Sequence, residues 1–245
     1  TLSSRVGSAF AGLRRLMRRP EEYLVCLKKI RFDTALLRQI IANGLPAGFQ
    51  NSVISLANVV VQSNINRFGK MAMAGCGAYS KIEGFGFLPS TCFAMALTTF
   101  GSQNLGAGQY ERAKKGAAVW TISSMILAEL VWILYFMWAP YAMRIFVNAP
   151  EAIEFGVIHC RTTALFFFLL AFSHCAAGVM RGCGKSFMPM AAMLAFWCGV
   201  RILYVSIAIQ IVPVFQTISW AYPLTWFLSS VAFFVSLVRM DWKKL

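Results

Sequence analysis

Long apolar runs alternate along this chain with short polar connectors, and six of the runs are long enough to cross a bilayer. They cover about 44–66, 71–104, 117–139, 157–180, 187–212 and 218–238. A bilayer core takes about 20 apolar residues per helix. The pattern therefore predicts an all-α fold, a polytopic membrane helix bundle of six transmembrane helices. The second run is long for one crossing. Its most apolar part, 82–101, follows a lead-in holding Gly75, Gly77, Lys81 and Glu83, and tilt takes up the surplus. Pro46 is expected in a first turn and Pro189 just inside a start, both tolerated positions. Pro89 and Pro223 fall inside spans, where a missing backbone donor predicts kinks.

Composition strengthens this reading. Hydrophobic residues make up 58% of the 245 and charged residues only 13%, with a mean hydropathy of +0.63. A soluble domain carries about a quarter charged residues. The net charge of +14 sits in the connectors rather than on a basic stripe with interleaved aromatics, so nucleic acid is not an expected partner. The bilayer is.

Loop charge gives an orientation. Nine basic residues precede Gly44, and Arg112, Lys114, Lys115, Arg181, Lys185, Arg239, Lys243 and Lys244 fall on the same side after six crossings. The other side holds Arg67, Lys70, Arg144 and Arg161. Positive residues favour the cytoplasm, which predicts a plasma-membrane protein with both termini cytoplasmic. Two regions follow: 1–43, a basic cytoplasmic segment, and 44–245, a six-helix transmembrane lobe. In the first, Arg14, Arg15, Arg18 and Arg19 lie ahead of Pro20, with Lys28, Lys29 and Arg31 after it. A topology signal explains these charges better than contact with anionic lipid, although such clusters also favour lipid. The opening Thr1-Leu2-Ser3-Ser4 lacks an initiator methionine, as a fragment, a processed product or an incomplete reading frame would.

Chemistry-bearing patterns are few. Cys26, Cys76, Cys92, Cys160, Cys175, Cys183 and Cys198 form no CxxC pair, and His159 and His174 are not at ligand spacing; no metal site or cofactor is expected. The cysteines read as small apolar helix residues. There is no GxSxG elbow, HExxH pair or Walker-type loop, since Gly182-Cys183-Gly184-Lys185-Ser186 lacks the required preceding spacing. The chain is not expected to be an enzyme.

Two features point to transport. Asn51, Ser55, Asn58, Gln62 and Asn66 recur every three or four residues, which puts them on one helix face. Such a stripe must meet protein or a watery cavity. It reads as the lining of a transport path, with interhelical glue as the alternative. Glu83 is an intramembrane carboxylate, rare and functional by default. Tyr79 lies one turn before it, and Phe87 and Ser90 one and two turns after. An acid beside aromatic faces suits an organic cation and could exchange it for a coupling ion. Lys81, two residues away, does not face it. Glu129 and Arg201 fall at similar depth in separate spans, which predicts a structural ion pair. His174 is expected as a satisfied core residue, and Phe166, Phe167 and Phe168 as packing or lipid-facing groups.

Three motifs resemble one family, the multidrug and toxic compound extrusion (MATE) transporters. Asn43-Gly44-Leu45-Pro46-Ala47-Gly48 looks like the start of that family's seventh helix. Ser102-Gln103-Asn104-Leu105-Gly106-Ala107, followed by Tyr110-Glu111-Arg112-Ala113-Lys114, resembles the end of its eighth. Val179-Met180-Arg181-Gly182-Cys183-Gly184-Lys185-Ser186 is similar to the turn after its tenth. The resemblance covers about 32–245. It implies the C-terminal half of a twelve-helix, cation-coupled antiporter that exports organic, cationic compounds in exchange for Na+ or H+. In that family the seventh, eighth and tenth helices line the path, and these correspond to the first, second and fourth spans here. Only one lobe is present, so an N-terminal lobe or a second copy is the implied partner, with 2–17 a remnant of the sixth helix. The competing expectations are a flippase for lipid-linked precursors, which a positively lined cavity would favour, and a non-transporting subunit or orphan fragment.

Overall fold

The structure, a computed structural model, describes residues 2–17 and 33–242. Arg18, Arg19, Pro20, Cys26, Lys28, Lys29, Arg31, Lys243 and Lys244 lie outside the described residues. The chain divides into two compact units, Thr1–Ile41 and Ala42–Leu245.

In the first unit, α1 (Leu2–Leu16) ends with Arg14 and Arg15 in its last turn, where positive charge meets the negative end of the helix dipole. Fifteen residues give about 22 Å of helix, short of a bilayer core of about 30 Å. Asp33 caps the next helix: its Oδ1 accepts from Ala35 N at 2.8 Å and from Leu36 N at 3.1 Å. That helix, α2, runs over Thr34–Ile65, so Pro46 falls in its interior. The expectation of Pro46 in a first turn is corrected here, because the Asp33 cap starts the helix well before residue 44.

The second unit is built around α3 (Lys70–Gly106), which packs against α4 (Tyr110–Arg144), α5 (Pro150–Ala164) and α6 (Phe167–Gly182). It reaches α6 through small residues. A Cβ on Gly178 would run into the Ala94 carbonyl, and one on Gly182 would lie 2.6 Å from Thr98 O. Thr98 Oγ1 donates across the contact to Gly178 O at 3.0 Å. Close backbone approach through small residues is how membrane helices gain packing without a hydrophobic drive. Gly184, at φ 75°, then ends the Arg181–Gly184 turn in a conformation that favours glycine.

The remaining helices close the bundle: α7 (Phe187–Met193), a π-helical segment (Leu194–Val200), α8 (Arg201–Ile211) and α9 (Phe215–Val238). Trp132 stacks on Phe167 at 3.6 Å between ring centroids in the core, and Trp226 meets Phe167 edge-on. A serine cluster ties α6 to α9, with Ser173 Oγ at 3.0 Å from Ser229 Oγ and 3.1 Å from Ser230 Oγ. Cys76, Cys160, Cys175 and Cys198 are buried as small helix residues, whereas Cys92 faces outward.

Three stretches, Tyr110–Arg144, Phe187–Ile211 and Phe215–Val238, are long and apolar enough to cross a membrane; α5 and α6, bent by 59°, meet the same measure only as a pair. At 32 and 37 residues, α2 and α3 have the length. Their apolarity falls short because α2 carries the amide stripe and α3 carries Lys81, Glu83 and many Gly, Ser and Thr residues. The all-α membrane bundle expected from the sequence is what forms.

Two breaks were not expected. Trp138 leaves helical geometry (φ −106°, ψ 19°) inside α4, two residues before Pro140, the position a proline kink demands. The run 157–180, expected as one helix, divides at Leu165 and Phe166.

Candidate functional site

A cavity of about 460 Å³ opens between α2, α3, α6, the π segment with its flanking helices, and α9. From α2 it receives Asn51, Asn58 and Gln62, all exposed, together with Gln50, whose Nε2 donates to the Met193 sulfur. The stripe thus borders the cavity and stays uncovered. Ser55 does not reach the cavity. Its hydroxyl donates back to Asn51 O at 2.9 Å. Gln62 Nε2 donates to Asn66 Oδ1 at 3.3 Å, so two members of the stripe satisfy one another along the helix.

Helix α3 contributes Ser80, Glu83, Gly84 and Phe87. Glu83 sits at the border of two faces. At 100° per residue, Ser80, Gly84 and Phe87 fall on its cavity side and Tyr79 and Ser90 on its core side. Tyr79 is buried there, its hydroxyl 2.9 Å from Thr163 Oγ1 and its ring edge-on to His159 at 4.4 Å. It supports Glu83 from behind through a side-chain hydrogen bond to the carboxylate. Ser90 is buried, and its hydroxyl has no hydrogen-bond partner. Of the residues expected around the carboxylate, Phe87 lines the cavity, and Tyr79 and Ser90 do not.

The Glu129–Arg201 pair does not form. Glu129 is half-buried and its Oε2 accepts the Phe168 N–H at 3.1 Å. The break before α6 frees that N–H from a helical acceptor, and a carboxylate is favoured at a helix N-terminus. Arg201 is only 3% exposed, donates from Nη2 to Thr225 Oγ1 at 3.0 Å, and lies with its guanidinium carbon 4.4 Å from the Tyr222 ring centroid. It lines the cavity with Glu83, and the charges of these two interact. Similar depth in two helices did not mean adjacency: the two residues face different neighbours.

His174 is also repositioned. It lines the cavity, its Nε2 has no hydrogen-bond partner, and its ring meets Phe87 edge-on at 4.7 Å. A satisfied core histidine would have found an acceptor or donor. Phe167 is core, as expected, and Phe166 packs on Trp220. Gln50, His174, Trp197, Arg201 and Tyr222 are thus among the cavity residues that sequence reasoning missed. Helical spacing from Arg201 back to Trp197 was the one signal available for part of this set.

The finished site is an open, half-polar cavity with one carboxylate, one guanidinium, several amides and an aromatic wall. Its volume falls in the range of small-molecule pockets. Among the described residues no group of three or more His, Cys, Asp or Glu is placed to hold a metal ion. A second hollow, about 410 Å³ between α3 and α4, is lined by Cys92, Phe93, Ala96, Leu97, Phe100 and Trp120 and offers almost no polar group.

The MatE family model matches residues 46–207. A probable multidrug resistance protein, YpnP of Bacillus subtilis strain 168, is 24% identical over 166 residues, covering 67% of this chain and 37% of the relative. A second from the same organism, the probable multidrug resistance protein YoeA, is 22% identical over 169 residues, 69% of this chain and 36% of its own length. Among solved structures, an outward-facing multidrug resistance MATE family transporter of the MOP superfamily superposes with a TM-score of 0.76 at 21% identity, over 87% of this chain and 49% of that one. The chain therefore spans less than two thirds of the length of the relatives it matches.

Proposed function

This chain belongs to the MatE family, and from that premise we propose that it is the C-terminal six-helix lobe of an efflux antiporter that exchanges organic compounds for Na+ or H+. The observation that carries the reading is the meeting of Glu83 with the exposed Asn51, Asn58 and Gln62 in one cavity. An uncovered amide stripe on a membrane helix is costly. It needs either a second lobe over it or a watery path beside it, and an antiporter supplies both.

Within this reading Glu83 holds the cationic end of the compound. Phe87 and the aromatic residues opposite hold its body through dispersion and cation–π attraction. Arrival of a coupling ion at the same carboxylate releases the compound, because one negative charge serves one cation at a time. A flippase for lipid-linked precursors would call for a cavity of one sign. Here Glu83 and Arg201 give it both signs, which favours small organic compounds. The proposed setting is the plasma membrane, with six crossings and both termini cytoplasmic.

The test is ion-driven movement of ethidium in proteoliposomes that hold the chain together with the N-terminal lobe of a MatE-family transporter. Glu83→Gln carries the neutral shape of the carboxyl and is expected to abolish gradient-driven movement while the protein stays folded. Normal movement by that variant would remove Glu83 from the mechanism.

A further inference from the structure

We propose that Arg201 is a substrate-binding residue for an acidic group, a carboxylate or a phosphate, so that the cavity prefers amphoteric aromatic compounds to simple organic cations of the same ring system. The inference rests on the transport reading of the cavity and names its substrate class.

Arg201 is buried, yet it lines the cavity. Thr225 Oγ1 accepts from its Nη2, while Nε has no hydrogen-bond partner. A buried guanidinium kept for packing alone would be expected to spend its donors on carbonyls or carboxylates, because leaving them open in a low-dielectric interior is costly. This one instead lies over rings, its guanidinium carbon 4.4 Å from the Tyr222 centroid and 5.7 Å from that of Trp197. Rings attract the cation without using its N–H groups. A planar fork held in that way matches a carboxylate or phosphate.

Charge in the cavity points the same way. Glu83 and Arg201 share it and interact. A simple cation would gain at Glu83 and meet like charge at Arg201. A molecule with a positive end and an acidic end meets both, and its ring system lies against Phe87, Trp197 and Trp226, which line the same space.

The test compares tetramethylrhodamine as the free acid, a zwitterion, with its methyl ester, a cation on the same ring system. Binding of each to the full chain in lipid nanodiscs is read by fluorescence polarisation. The free acid is expected to bind about tenfold tighter, the worth of a charge-assisted hydrogen bond. Arg201→Gln should bring the two dyes within about twofold of each other, and Arg201→Lys, which keeps the charge but not the fork, should retain part of the preference. If neither variant folds, the two dyes on the unaltered chain decide. An ester that binds as tightly as the acid, or an equal loss for both dyes in Arg201→Gln, overturns the inference. Acid preference that persists while Glu83→Gln weakens neither dye supports Arg201 and sinks the ion-coupled role of Glu83. Absence of binding by either dye to the folded chain overturns both.

Discussion

Glu129 Oε2 accepts the backbone N–H of Phe168 at 3.1 Å, so a carboxylate on α4 caps the start of α6. The bend between α5 and α6 is thereby held by a side chain from a third helix. Loss of a capping group costs about 1 kcal/mol, and Glu129→Ala should lower thermal stability in detergent by about that much. Glu129→Gln, which keeps an acceptor and loses the charge, should cost less.

The separate surroundings of Glu129 and Arg201 make a second, opposite prediction to the ion pair. Losses in Glu129→Gln and Arg201→Met should add within about 0.5 kcal/mol in the double variant, as they do for sites without shared partners. A double variant more stable than the sum would restore the pair.

The α3–α6 contact leaves no room for a side chain at Gly178. Gly178→Val must push α6 away from Ala94 and break the Thr98–Gly178 hydrogen bond. Overpacking of this kind costs about 1–3 kcal/mol, so the melting temperature should drop well below that of Gly77→Val, whose Cβ meets nothing within 4 Å. Equal melting temperatures for the two variants would refute the tight crossing.

With Asn51, Asn58 and Gln62 exposed along α2, the chain alone should not move ethidium down an ion gradient. Transport should return when an N-terminal lobe of a MatE-family transporter is co-expressed. Robust transport by the chain alone would mean that two copies cover one another's stripes.

Orientation is open to labelling. In a background with the outward-facing Cys92 replaced, cysteine at Gly69 or Asn148 should react with an impermeant reagent from outside, and cysteine at Gln109 should not. The reverse pattern would invert the proposed topology.

Much of the bundle was legible because bilayer thickness leaves its mark on the length of apolar runs. The α2 stripe was legible because a helix repeats every 3.6 residues, and Asn51, Asn58 and Gln62 do come to one cavity. What periodicity does not carry is the direction a helix faces. It could not separate Phe87, which lines the cavity, from Tyr79 and Ser90, which turn to the core a few tens of degrees away. It could not send Glu129 to Phe168, because the break before α6 has no proline or glycine to announce it. In the sequence Arg201 and His174 look structural, since their depth is visible there and their neighbours are not.

The π segment Leu194–Val200 ends where Arg201 begins, and its wide turn carries one residue more than an α-helix would need. The wide turn absorbs that surplus, so the helix beyond it keeps its face. Loss of a single codon there would restore a regular helix and leave Arg201 turned toward the cavity. A second loss would find no wide turn to absorb it and would rotate Arg201 by about 100° about the axis, taking its charge away from Glu83. This one turn is therefore where the lobe tolerates a change of length, and it does so once.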